Sequence, residues 1–267
     1  MSLAGEERKK KILELLEISG QVKAKDLARI LQVSTETIRK YLDQLHKEEK
    51  LKKVYGGAIS VSFHNEEPSS QEREELHSDE KRRIGKLAAQ LINDNDVIAI
   101  DDGSTPLQLV KSLHKKNNIT IYTTSISALS VLIELHQQNH FTGKIIVLGG
   151  EVNIAHQRVS GAYTNQMLED IYIDKYFVSA DGISLDAGIT SYDYTKGITT
   201  KKLVEHADKS ICLIDHSKVG KRTHYKIADL KEINMVVSDK TYPSEWETAL
   251  IDGNIKWLVA GNGHKMM

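Results

Sequence analysis

Val33-Ser34-Thr35-Glu36-Thr37-Ile38-Arg39-Lys40 is the stretch on which the fold turns. Ser34 stands where a helix would begin, and its hydroxyl suits the unpaired amide groups of a first turn. Beyond it, Ile38, Leu42 and Leu45 recur at three- and four-residue steps, which predicts a helix over 35–48 with one buried stripe. Glu36, Thr37, Arg39, Lys40, Gln44 and Lys47 are then left towards solvent. Upstream, Gln32-Val33-Ser34 leaves room only for a tight connection to a short helix over 24–31, where Leu27, Ala28 and Leu31 share a face. Ile12, Leu15 and Leu16 mark an earlier helix ending near Ser19-Gly20. Two short helices, a three-residue turn and a helix start rich in hydroxyls and cations form a helix-turn-helix pattern. Ser34, Thr35, Thr37, Arg39 and Lys40 lie in the first turns of the recognition helix and Gln44 one turn on, where phosphates and base edges come within reach. Downstream, Leu51-Lys52-Lys53-Val54-Tyr55-Gly56-Gly57-Ala58-Ile59 reads as a β-hairpin, the wing. Lys52 and Lys53 sit there beside the phosphate backbone, adding salt-sensitive affinity, and Tyr55 joins them in the candidate DNA-binding set. A helical interaction module with a solvated basic face is the alternative; the ordered series of helix, turn, helix and wing favours DNA.

Charge and length agree. The chain has 267 residues and a formal net charge of -1. Its first 60 residues carry 13 Lys+Arg against 9 Asp+Glu, and the remainder 23 against 28, so a basic end precedes an acidic body. Three regions are expected: a winged helix-turn-helix over 1–61, a polar, acidic linker over 62–79 and an α/β domain over 80–267. No run approaches the roughly 20 apolar residues of a membrane span and no leader is evident, so a cytoplasmic protein is expected. The lone Cys212, inside Ile211-Cys212-Leu213-Ile214, reads as a buried strand residue without chemistry.

From residue 80 onward, apolar runs at 97–100, 119–123, 144–148, 175–179, 210–214, 235–237 and 256–259 alternate with helical segments. Near-continuous apolar strands separated by helices predict a mostly parallel, Rossmann-like sheet covered by helices on both faces. After the first strand, Asp102-Gly103-Ser104-Thr105 opens a helix, and its sharp turn, hydroxyls and free amides suit a phosphate, or else form a plain helix cap. Thr123-Thr124-Ser125 ends the second strand with further hydroxyls, at the carboxyl ends where parallel sheets collect ligands. Asp181 with Gly182 can bond sugar hydroxyls, and Lys218 can meet a phosphate or neutralise Asp215; a structural turn or ion pair explains them equally. His136 and His140 stand four apart, but nothing nearby completes a metal site, and neither a metal nor a cofactor is expected.

The chain resembles the DeoR-type transcriptional regulators in Lys25-Asp26-Leu27-Ala28, in Val33–Lys40 and in Val54-Tyr55-Gly56-Gly57-Ala58. The resemblance continues through Ile100-Asp101-Asp102-Gly103-Ser104-Thr105-Pro106, Leu148-Gly149-Gly150, Ser179-Ala180-Asp181-Gly182-Ile183 and Asp215-His216-Ser217-Lys218. It implies a sensor domain similar in fold to ribose-5-phosphate isomerase that responds to a phosphorylated sugar, with Gly149 and Gly150 among the effector-site residues. Operator DNA and a sugar phosphate are thus the implied partners, and the implied function is repression of a sugar-uptake or catabolism operon. One small winged helix reads little sequence, so a homodimer or homotetramer on repeated half-sites is expected. Two departures stand out. The family usually has Arg-Asp where this chain has Lys40-Tyr41, which leaves the base code open. Where an acidic residue followed by Val-Lys-Arg is common, the chain reads Lys196-Gly197-Ile198-Thr199-Thr200-Lys201-Lys202. Thr200 aligns with the lysine, or Lys201 does after a one-residue slide. With the carboxylate missing, a sensor is favoured over the alternative, an isomerase-like enzyme with a DNA-binding appendage.

Overall fold

The computed structural model describes residues 3–19, 21–48, 50–54, 56–60 and 67–261. The chain divides into two compact units, Met1–Pro68 and Ser69–Met267. The first comprises α1 (Leu3–Ser19), β1 (Gln21–Lys23), α2 (Ala24–Ile30), α3 (Thr35–Lys47), β2 (Leu51–Val54) and β3 (Gly57–Ser60). Its core is the predicted stripe: Ile12, Leu16, Leu27, Ile38, Leu42 and Leu45 pack with Leu51 and Ala58 of the wing. Ser34 caps α3, its hydroxyl accepting the Thr37 amide at 3.2 Å. β3 pairs antiparallel with both β2 and β1, so the wing is the outer hairpin of a three-stranded sheet. Gly57 is required there, because a Cβ on it would lie 1.9 Å from the Val22 carbonyl oxygen.

The second unit opens with α4 (Ser70–Glu75) and α5 (Ser78–Gln90), within the stretch expected as a linker and at its end. Ser69 and Glu72 close a capping box around α4, which accounts for helix in so polar a segment. There follow β4 (Val97–Ile100), α6 (Ser104–Val110), β5 (Lys116–Thr123), α7 (Ile126–Gln137) and β6 (Phe141–Val147). The hairpin β7 (Glu151–Asn153) and β8 (Arg158–Ser160) leads to α8 (Ala162–Met167) and β9 (Ile173–Ser179). Then come β10 (Gly182–Ser184), β11 (Gly188–Ser191), α9 (Tyr194–Glu205), β12 (Ala207–Leu213) and β13 (Tyr225–Ala228). β14 (Met235–Ser238), α10 (Glu247–Asp252) and β15 (Lys256–Val259) complete the described chain.

All seven predicted apolar runs fall on the main sheet, which is parallel throughout in the order β15-β14-β12-β9-β4-β5-β6. Successive residues serve opposite faces. Ile98, Ile100, Phe177, Ile211 and Leu213 enter one buried cluster, while Ala99, Tyr176, Val178, Cys212 and Ile214 enter the other. Cys212 is fully buried, and burial pushes its thiol up to about 12. The chain lays β5 and β6 on one side of β4, then returns to place β9, β12, β14 and β15 on the other. The strand order therefore reverses between β4 and β9, where a parallel sheet leaves a crevice at its carboxyl edge.

Candidate functional site

On the first unit, Ser34, Thr35, Arg39, Lys40 and Gln44 are exposed along the start and outer face of α3, and Thr37 is half-buried with its hydroxyl 2.9 Å from that of Ser34. Arg39 stands 3.8 Å from Glu36, and Lys53 on the wing reaches Asp43 of α3 at 2.5 Å. The last pair ties wing to recognition helix. Tyr55 and the side chain of Lys52 lie outside the described residues.

In the second unit the loops after β4, β9 and β12 converge on a cleft lined by Arg73, Gly103, Ser104, Thr105, Ser179, Ala180, Asp181, Leu213, Ile214 and Lys218. Gly103 takes the position before α6 with φ +132°, a conformation that suits glycine, and no side chain caps the helix. Ser104 and Thr105 are thus not spent as caps. Asp215 caps the short turn His216–Lys218 through the Ser217 amide. The turn brings the Lys218 ammonium to the Ala180 carbonyl at 3.2 Å and to Asp181 at 3.7 Å. Asp181 also accepts hydrogen bonds from the Ser191 hydroxyl and the Tyr192 amide.

Behind the cleft, three cations meet one carboxylate. Asp102, 1% exposed, lies 3.6 Å from Lys196, 3.5 Å from Arg158 and 3.9 Å from Arg73. Burial raises its affinity for a proton, but Lys196, Arg158 and Arg73 together hold the carboxyl below its usual range. Asp181 is lowered in the same way: burial is outweighed by Lys196, Lys218 and Arg73. Asp101 goes the other way, up to about 6, because burial and the charge of Asp102 overcome Lys196 and two hydrogen bonds from Ser179. Lys81 donates to the carbonyls of Arg73 and Leu76 at 2.5 and 2.6 Å, and burial with the nearby Lys218 brings its ammonium down to about 8.

The structure gathers Gly103, Ser104, Thr105, Asp181 and Lys218 around one cleft, with Asp102 against it. It employs the others elsewhere. The Thr123 hydroxyl donates to the Ile100 carbonyl and accepts from the Ser125 amide; Ser125 caps α7; the Thr124 carbonyl accepts from Val159. The Gly149 carbonyl accepts from Thr164, and a Cβ on Gly150 would lie 2.2 Å from the same hydroxyl, so this pair serves the packing of α8. Gly182 abuts the Lys221 carbonyl. His140 faces His114 at 3.2 Å, and His136 packs edge-on against Phe141. Sequence reasoning missed Arg73, Arg158, Ser179 and Lys196. Lys196 falls in the segment where a missing carboxylate drew attention, yet Lys196 itself reaches Asp102, and the Ser179 hydroxyl at 3.1 Å. Thr200 is buried, and Lys201 lies on the surface near Glu205, so neither alignment of that segment puts its lysine in the cleft.

Comparison with known proteins covers nearly the whole chain. A model of the DeoR C terminal sensor domain matches residues 76–240, and one of the DeoR-like helix-turn-helix domain matches residues 8–63. The HTH-type transcriptional repressor GlcR of Bacillus subtilis is 31% identical over 249 residues, 93% of each chain. The lactose phosphotransferase system repressor of Staphylococcus epidermidis is 32% identical over 87% of this chain and 91% of its own. A solved structure of ribose 5-phosphate isomerase A from Methanocaldococcus jannaschii aligns over 53% of this chain and 54% of its own, at 17% identity and a TM-score of 0.38.

Proposed function

The chain belongs to the DeoR family, and from that premise we propose that it is a transcriptional repressor of an operon for sugar uptake or breakdown. The N-terminal unit binds operator DNA, with α3 in the major groove and the β2–β3 wing beside the phosphate backbone. A phosphorylated sugar in the cleft of the C-terminal unit changes that binding. The observation that carries the reading is the cleft at the strand-order reversal, where Arg73 and Lys218 face Gly103, Ser104 and Thr105 across a floor of buried, paired charge. The cations suit the phosphate; Asp181 and the hydroxyls suit a polyol. Repressors named for sugar systems among the relatives support the same reading.

Sensing is favoured over turnover because the two groups that proton transfer would need are engaged within the protein. Lys196 is held by Asp102 and Ser179, and Asp101 by Ser179. A homodimer or homotetramer on repeated half-sites completes the proposal. Fluorescence anisotropy of the full chain on DNA from upstream of its own gene tests it, against a panel of aldose and ketose phosphates and their unphosphorylated parents. One phosphate is expected to shift operator affinity by about tenfold, within the usual range of allosteric coupling, and its parent sugar not to. No response across the panel, or conversion of any member well above background, sinks the sensor.

A further inference from the structure

α4 is the first element after the boundary between the two units, and among the segments lining the cleft it alone is not a strand, helix or loop of the main sheet and its crossovers. Six residues are too few for a helix to persist unaided. It is held in place at both ends. The Ser70 amide donates to the Ala155 carbonyl at 3.1 Å, and the Lys81 ammonium draws in the Arg73 and Leu76 carbonyls. Its one buried side chain is Arg73, which runs into the cleft beside Gly103, Ser104, Thr105 and Ser179.

Three further cations are bound within the unit. Arg158 holds Asp193 at 2.6 Å as well as Asp102; Lys196 holds Asp102 and Ser179; Lys218 holds Ala180 and Asp181. Arg73 makes the longest of the three ion pairs to Asp102. Asp102 therefore keeps two cations when Arg73 turns towards an arriving anion, so the exchange strands no buried charge. A guanidinium also matches phosphate with two parallel hydrogen bonds, which an ammonium does not.

We infer that Arg73 is a phosphate ligand of the effector, and that through it occupancy of the cleft fixes α4 and so sets where the chain leaves the C-terminal unit for the DNA-binding unit. The inference rests on the phosphosugar reading above. A ligand shifts a conformational equilibrium only by its unequal affinity for the two states. An anion gripped by Arg73 binds the state with α4 docked more tightly, and a charge-assisted contact makes that preference about tenfold or more.

Hydrogen exchange on the full chain tests it, first with inorganic phosphate and then with the sugar-phosphate panel. Amides of 103–105 and of 70–76 are both expected to gain protection. In Arg73→Gln the loop should need about tenfold more ligand and α4 should gain none; Arg73→Lys should recover part. Unchanged exchange in β4, β9 and β12 without ligand shows that each variant is folded. Protection of 103–105 with 70–76 unaffected, or a wild-type response in Arg73→Gln, overturns the inference and leaves the sensor standing. Protection at neither segment with any ligand takes both down. Two glycines inserted between Pro68 and Ser69 should leave protection intact while the effect on operator affinity drops below about twofold; an undiminished effect refutes the coupling.

Discussion

On the recognition helix, the Arg39 side chain is 65% exposed and stands 3.8 Å from Glu36; behind the cleft, the Arg158 side chain is 1% exposed and grips Asp193 at 2.6 Å. Both units use arginine, lysine, serine and threonine, but under opposite solvation. The cations of α3 and the wing stand in water, and under the proposed function what they gain from a polyanion comes from releasing its counterions. Those of the cleft have already given up their water and are held by carboxylates. Their attraction for a small anion is stronger and less screened, at the expense of a fragile balance of buried charge. On the proposed function, a surface for a long, regular ligand and a cleft for a small one follow from the same chemistry placed at different depths.

Removing a charge from that balance should give the largest effect. Asp102→Asn leaves Arg73, Lys196 and Arg158 with one compensating charge fewer, and is expected to destabilise the C-terminal unit by about 3–5 kcal/mol, the usual loss on breaking a buried pair. Both tryptophans, Trp246 and Trp257, lie in that unit, so urea unfolding followed by their fluorescence reads it alone. Added phosphate should restore part of the loss. An unchanged midpoint would mean that the buried cations are as well solvated as those on α3, and the contrast between the units would collapse.

The neighbouring carboxylate should behave in the opposite sense. Asp101 has its carboxyl raised to about 6, above the roughly 3.9 of an unfolded chain, so between these values the folded state binds the extra proton. Its contribution to stability is greatest below about pH 4 and is lost as pH rises through 6, ending in a penalty of about 3 kcal/mol at neutral pH. Asp101→Asn keeps an acceptor for the Ser179 amide and hydroxyl, and should therefore gain up to about that amount at pH 7 and nothing near pH 4. Urea midpoints across pH 4–8 would show it. A variant that loses stability at pH 7 would show that Lys196 needs both carboxylates.

The same contrast explains what the sequence made legible. A strand covered on both faces has to be apolar, so the inner strands β4, β9, β12 and β14 announce themselves, and the remaining strands of the main sheet still carry an apolar run at their carboxyl ends. β7, β8, β10, β11 and β13 are three or four residues long and lack any such run. Exposed residues of α3 can be read from helical spacing, because what faces solvent is whatever the buried stripe leaves out. Buried cations obey no spacing. Arg73 lies between Glu72 and Glu74 in a polar stretch, and Arg158 lies 56 residues from Asp102; only the fold brings them together. The loop Gly103-Ser104-Thr105 was legible because its glycine, its hydroxyls and the strand before it are contiguous.

The smallest expected effect on stability gives the sharpest division between the units. Lys53 pairs with Asp43 at 2.5 Å, but the lysine side chain is 36% exposed and the aspartate 51%, and exposed pairs contribute about 0–1 kcal/mol. Lys53→Ala should therefore shift the melting of the N-terminal unit by about 0.5 kcal/mol or less. With the wing beside the backbone as proposed, the same change removes one phosphate contact, so the slope of log affinity against log salt should become shallower by about one, with little change in which sequences are preferred. Anisotropy titrations on operator and scrambled DNA between about 50 and 200 mM salt measure it. If the slope stays as steep as in the unmodified chain, the wing does not lie along the backbone, and Asp43 keeps Lys53 for the protein's own use.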